Sequence, residues 1–192
     1  MGKIRVTKTF IEGLAIIEPE VYGDSRGYFF ETFNARDMIE AGFDYNFVQD
    51  NQSMSTKGVL RGLHYQKEHP QTKLVRVISG EVFDVVVDIR RGSPTYGKWF
   101  GVILSAENKK QFLITKGFAH GFLFLSDYAE FAYKVDDYWH PEDEYGIQWD
   151  DSDLDIKWPE IDVFKKEMLD GTKLIFSEKD LNWNPFSEVE AI

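Results

Sequence analysis

Glu81-Val82-Phe83-Asp84-Val85-Val86-Val87-Asp88-Ile89 is the stretch on which the fold turns. Read as a strand, it puts Phe83, Val85, Val87 and Ile89 on one face and Val82, Asp84, Val86 and Asp88 on the other. Two aspartates among valines on one face fit a polar cavity better than open solvent, where the valines would be oddly placed. Just before it, Lys73–Ile78 has the same character, and Ser79-Gly80 between them predicts a hairpin.

Further upstream, Gly58-Val59-Leu60-Arg61-Gly62-Leu63-His64-Tyr65-Gln66 is a short apolar strand carrying one arginine, one glycine and one histidine. Strict alternation would separate Arg61 from His64. Gly62 predicts a bulge that re-phases the strand and turns both into the same space. An imidazole and a guanidinium in one pocket suit base chemistry on an anionic substrate. Phe47-Val48-Gln49-Asp50-Asn51 puts Phe47, Gln49 and Asn51 on one face. Before it, Asn34 caps a short helix that Gly42 ends. The first strands are Ile4-Arg5-Val6 and Gly13–Ile17, followed by the turn Asp24-Ser25-Arg26-Gly27.

Downstream come Trp99–Leu104, Phe112–Ile114, the turn Gly117-Phe118-Ala119-His120 and Leu123–Leu125. In the next strand Phe131, Tyr133, Val135 and Asp137 share a face. About ten short strands with almost no helix predict an all-β sandwich or small barrel. A chain of 192 residues suits one domain. We expect a β core over about residues 3–150 and a looser segment, 151–192, packed on it.

The absence of cysteine excludes disulfides, thiolate metal ligands and a cysteine nucleophile. There is neither a signal-peptide core nor an apolar run approaching the ~20 residues of a bilayer span, so a cytoplasmic location and no membrane partner are expected. A net charge of −11 argues against nucleic acid but allows a small phosphorylated ligand held by a few local cations. Sixteen phenylalanines, nine tyrosines and five tryptophans suit a β-rich core and can stack on flat ligands.

Four histidines, His64, His69, His120 and His140, could serve a metal. Metal sites of jelly-roll cupins use two histidines one residue apart, but here Gln66 stands at that spacing from His64, and a carboxamide is a poor ligand. No metal is therefore expected. There is no Gly-x-Ser-x-Gly elbow and no phosphate-binding glycine loop. Cofactor-free proton transfer remains, needing a base, a proton donor and a cation for the developing oxyanion. His64, a tyrosine such as Tyr133, and Lys73 or Arg61 can supply these; each alone is equally at home in a structural role.

Several segments, in order, resemble one family. They are Gly23–Glu31, Phe47–Asn51, Val59–Gln66, Lys73-Leu74-Val75-Arg76, Gly80–Val85, Gly117–Phe122, Tyr133-Lys134 and Ser177-Glu178-Lys179-Asp180. Together they closely resemble the dTDP-4-dehydrorhamnose 3,5-epimerase family over about Ile4 to Trp183. The resemblance implies a jelly-roll, cupin-like β-sandwich with short peripheral helices, a homodimer, a dTDP-sugar substrate and no cofactor. It implies His64 as general base, Asp180 as its paired carboxylate, Tyr133 as proton donor and Lys73 as the cation at the substrate's C4 oxygen. Arg61 and His120 would line the same pocket. Arg26, Glu31, Gln49, Asn51, Glu144 and Lys179 match the nucleotide- and diphosphate-binding set, and Tyr138 the residue stacking on the base. Two features depart from the family: Glu167–Lys173 is longer than usual, and the loop Lys67–Thr72 varies. Rival readings are a single-carbon epimerase, a 3,4-ketoisomerase, a catalytically silent sugar-nucleotide binder and a metal-dependent cupin.

Overall fold

The computed structural model describes residues 3–192; Met1 and Gly2, at the start of the expected first strand pattern, lie outside the described residues. The first half of the chain forms β1 (Ile4–Lys8), β2 (Leu14–Pro19), β3 (Tyr22–Asp24), β4 (Gly27–Phe29), α1 (Ala35–Glu40), β5 (Gln49–Thr56) and β6 (Leu60–Gln66). Then come β7 (Lys73–Ser79), β8 (Glu81–Asp88), β9 (Trp99–Ser105), β10 (Gln111–Ile114), β11 (Phe118–Phe124), β12 (Tyr128–Val135) and β13 (Glu144–Gly146). A short hairpin of β14 (Ile161–Asp162) and β15 (Glu167–Met168) follows.

Two sheets carry the fold, one six-stranded in the order β1-β2-β10-β7-β12-β5 and one five-stranded in the order β13-β6-β11-β8-β9. All their pairings are antiparallel. The architecture is an all-β, cupin-like jelly-roll sandwich. Asn34 caps α1 as expected, its side-chain oxygen accepting from the backbone N–H groups of Arg36 and Asp37.

The expected hairpin at Ser79-Gly80 does not form. β7 and β8 lie in different sheets, and Gly80 is where the chain crosses between them. The reason is packing: Val75 and Val77 of one sheet meet Val82 and Val86 of the other in a shared apolar core with Phe112, Phe124 and Phe131. Gly80 is at φ +76, and a Cβ there would sit 2.2 Å from the Tyr128 carbonyl oxygen, so no side chain fits.

Each sheet is also covered on its outer face, which explains why almost every residue of β8 is buried. Helix α1 contributes Met38 to a cluster with Ala15, Ile17, Leu74 and Leu113, which Phe33, Phe43 and Phe47 close over. On the other side, Trp149, Leu154, Ile156, Trp158 and Met168 pack on Leu63, Phe83, Val85 and Val87. At ~1.5–3 kcal/mol for each large apolar side chain removed from water, this tail is bound chiefly by its apolar side chains. Among the described residues no helix is long and apolar enough to cross a membrane.

Candidate active site

The bulge expected at Gly62 is present. Across the β6–β11 ladder Arg61 stands opposite Phe122 and His64 opposite His120, so two residues of β6 match the single Gly121. The close approach needs glycine on both sides: a Cβ on Gly62 would lie 2.5 Å from the Gly121 Cα, and one on Gly121 would lie 2.9 Å from the Arg61 carbonyl oxygen. The extra residue re-phases the strand. Leu60, Leu63 and Tyr65 then belong to the outer core, while Arg61 and His64 turn inward to a cavity of about 370 Å³.

This cavity opens between the sheets. Arg61 and His64 of β6, His120 and Phe122 of β11 and Glu144 of β13 form one wall. Gln49, Asn51 and Ser53 of β5, Lys73 of β7 and Tyr133 of β12 form the other. Gln71, Trp139 and Lys179 complete the lining.

His64 is held from the tail. Its Nε2 lies 2.5 Å from Asp180 Oδ1, and the Asp180 side chain is only 3% exposed. The other Asp180 oxygen accepts from the Ser177 hydroxyl at 2.6 Å, while Oδ1 also receives the Gly62 N–H and Trp183 Nε1 at 3.4 Å. Burial by itself would raise the Asp180 carboxyl. The hydrogen bonds from His64 and Ser177 outweigh it and hold the group down at about 2. A carboxylate on Nε2 fixes the tautomer with its proton there, leaving Nδ1 with the free lone pair. Nδ1 faces the cavity near Glu144, 3.8 Å from Oε1, and Glu144 is itself tied to Lys179 at 2.6 Å.

The tail reaches this position through backbone pairing. Leu60 N–H donates to the Ile175 carbonyl at 3.0 Å, and Ile175 N–H to that of Gly58 at 2.9 Å. The long segment Glu167–Lys173 is absorbed just before, where Met168 N–H bonds the Thr172 carbonyl and Leu174 N–H that of Lys166. The chain therefore arrives at Ile175 in register.

Electrostatics separate the other groups. Burial pulls the Lys73 ammonium down to about 8, with Asp84 and then Glu144 pulling the other way. Burial raises the Tyr133 phenol, keeping it protonated, with Arg61 opposing and Glu144 adding to the shift. Arg61 also donates to the Ser55 hydroxyl at 2.9 Å. His120 is buried, and its Nε2 lies 3.0 and 2.9 Å from the two oxygens of Asp84. Among the described residues no group of three or more His, Asp or Glu side chains converges as a metal would require.

Of the thirteen residues singled out from sequence, Arg61, His64, Lys73, His120, Tyr133, Gln49, Asn51, Glu144 and Lys179 meet in this cavity, and Asp180 backs His64. Three do not line it. Arg26 is bound to Asp24 on the exposed β3–β4 hairpin. Glu31 lines a separate crevice beside α1. Tyr138 is 60% exposed, because beyond β12 the chain turns at Asp137, whose carboxylate accepts the Tyr138 N–H; the next residue, Trp139, is the aromatic that lines the cavity. Sequence reasoning passed over Trp139 and Phe122, and the only signal for Asp84 was a carboxylate among valines.

Comparison with known proteins bears directly on this arrangement. The family model described as dTDP-4-dehydrorhamnose 3,5-epimerase matches residues 8–188. The chain belongs to that family. A member from Methanothermobacter thermautotrophicus is 56% identical over 188 residues, covering 98% of this chain and 97% of its own. The family member from Pseudomonas aeruginosa is 50% identical over 188 residues, covering 97% and 98% respectively. Among solved epimerases of the family, that of Legionella pneumophila, crystallised in complex with dTDP-4-keto-L-rhamnose, superposes with a TM-score of 0.89 at 52% identity. It covers 98% of this chain and 95% of that one.

Proposed function

We propose that the chain epimerises dTDP-4-dehydro-6-deoxy-D-glucose at C3 and C5 to dTDP-4-dehydro-L-rhamnose, without a cofactor, in dTDP-L-rhamnose synthesis. The observation that carries this reading is that a carboxylate-backed imidazole, His64, and a protonated phenol, Tyr133, stand on opposite walls of one cavity lined also by Lys73. Inversion at carbon needs that arrangement, because the proton must leave from one face and return to the other.

Both C3 and C5 lie beside the C4 carbonyl, so loss of either proton gives an enolate whose charge rests on O4. His64 Nδ1 takes the proton, and Asp180 stabilises the resulting imidazolium through Nε2. Lys73, half-buried and with its ammonium weakened to about 8, donates to O4 as charge develops. Preorganised donors of this kind are worth ~2.7–4 kcal/mol each. Tyr133 then returns a proton to the opposite face at C5, and solvent returns one at C3. The phenolate regains its proton from solvent, and the His64 imidazolium gives its own up there. Binding energy from the diphosphate, taken up by arginine and lysine, orients the sugar.

Arg26 and Glu31 match the family's nucleotide-binding set yet stand outside this cavity. A homodimer reconciles the two facts if the β3–β4 hairpin of each copy reaches the other's cavity mouth. Four exposed rings, Tyr22, Tyr28 and Phe29 on the hairpin and Phe10 before it, support such a contact. A cytoplasmic location fits a sequence free of cysteine. The deciding experiment is proton NMR of the substrate with enzyme in D₂O: deuterium should enter C3 and C5, with inversion at both. Inversion at one carbon would make it a monoepimerase, and no exchange would remove the reading.

A further inference from the structure

Inverting two carbons asks His64 to act twice on one bound sugar, and the ring must shed its first proton before it can accept a second. The surroundings of the ring restrict where that proton goes. Asp180 occupies Nε2 at 2.5 Å. In the β6–β13 pairing Gly146 stands opposite His64 and offers no side chain. Trp183 takes that space: a Cβ on Gly146 would lie 2.4 Å from its ring, and the His64 and Trp183 rings meet edge to face at 5.8 Å. The next side chain of β13 on the same face is Glu144, opposite Gln66. Its Oε1 lies 3.8 Å from His64 Nδ1, and among the described residues no other carboxylate pairs with that nitrogen. Its second oxygen is held by the half-exposed Lys179 at 2.6 Å, which leaves Oε1 to the ring. Glu144 matches the nucleotide- and diphosphate-binding set by resemblance, yet a carboxylate repels a diphosphate, and here it faces the base. Beside both groups is a side chamber of about 110 Å³, lined in part by His64, Gln66, Pro70, Gln71, Tyr133 and Glu144. At ~30 Å³ per molecule it has room for a few waters.

We propose that Glu144 is a proton relay: between one carbon and the other, its Oε1 takes the proton from Nδ1 of the His64 imidazolium and passes it to water in the side chamber. This role rests on the epimerase reading. The N–H bond at Nδ1 breaks as the O–H bond on Glu144 forms, and the ring returns to the neutral tautomer with its proton on Nε2. The carboxyl then gives the same proton to water and is a carboxylate again. The 3.8 Å separation closes to a hydrogen bond once the ring is charged, because an imidazolium N–H draws a carboxylate oxygen to it. With sugar filling the main cavity, Nδ1 has no open path to bulk water, and the side chamber supplies one.

The test follows the sugar by proton NMR with the full chain and with Glu144→Gln, counting molecules inverted at one carbon and at both. In Glu144→Gln the ratio of doubly to singly inverted sugar should fall by about a hundredfold, within the range a positioned proton-transfer group contributes. Added formate, a carboxylate small enough to enter the chamber, should restore part of that ratio in the variant and leave the parent unchanged. A ratio equal to the parent's, with only kcat or KM altered, overturns the proposal and leaves Glu144 a binding residue. A lowered ratio that formate does not raise overturns it too, because a merely structural loss is not rescued by a free carboxylate. If Glu144→Gln does not fold, Glu144→Asp decides: it keeps the charge but withdraws the oxygen from Nδ1 by one methylene. Singly inverted sugar should then rise, and an unchanged ratio overturns the relay. Inversion by the unmodified enzyme is measured first. If it inverts neither carbon, or only one, the epimerase reading fails; double inversion by parent and variant alike defeats only the role of Glu144.

Discussion

Two histidine–aspartate pairs lie at this site and behave differently. His64–Asp180 joins β6 to the tail across 116 residues of sequence, and its ring is 25% exposed to the cavity. His120–Asp84 joins neighbouring strands, with side chains 5% and 0% exposed. In the first, hydrogen bonds from His64 and Ser177 overcome burial, so the carboxylate stays charged and one imidazole nitrogen faces the cavity. In the second, burial dominates, raising the acid and lowering the base. The same two side chains leave a free imidazole nitrogen where the ring is open and the carboxylate saturated. Where both are enclosed, burial favours their uncharged forms and the hydrogen bond fixes the His120 ring in the cavity wall.

The comparison can be broken most directly at the open pair. His64→Ala should abolish deuterium exchange at both C3 and C5 while circular dichroism stays unchanged; substantial residual exchange would take the base role from His64. Asp180→Asn should lower kcat by about 10³–10⁴-fold, as when a triad aspartate is replaced, because the amide no longer fixes the tautomer. A loss below tenfold would mean that the carboxylate merely packs. Tyr133→Phe sharpens the contrast between base and acid: inversion at C5 should fall well below exchange at C3, and equal loss at both carbons would reassign the donor.

Smaller effects concern stability. Gly62 is at φ +122 with no room for a Cβ, so Gly62→Ala should cost more than about 1 kcal/mol in a denaturant melt. An unchanged melt would show that the bulge tolerates a side chain. Asp180 is lowered from 3.8 to about 2 on folding, so its contribution of about 2 kcal/mol is present above pH ~4 and lost as pH falls through 2. Acid titrations of the parent and Asp180→Asn should therefore diverge at neutral pH and converge near the lower value. Parallel curves would mean that the carboxylate is not held down by folding.

Alternation and the Gly62 bulge were legible because both follow from the chain's local geometry. Gly80 misled for a physical reason: a tight turn between two apolar strands can join neighbours in one sheet or partners in two, and only the packing of Val75 and Val77 against Val82 and Val86 chooses. Asp84 and Asp88 looked alike in sequence. Asp84 meets His120, whereas Asp88 is consumed by Arg90, Ser93 and Thr95. Asp180 was readable only as part of a motif, since no periodicity links a tail residue to a strand so far upstream. Trp139 was hidden beside Tyr138 because a turn, not a strand, decides which of the two faces inward.

The carboxylate behind His64 comes from a segment 116 residues downstream of the strand that carries the imidazole. The strands that carry Lys73 and Tyr133 leave His64 without its partner until residue 180 docks beside β6. Docking of the tail is thus what completes the pair.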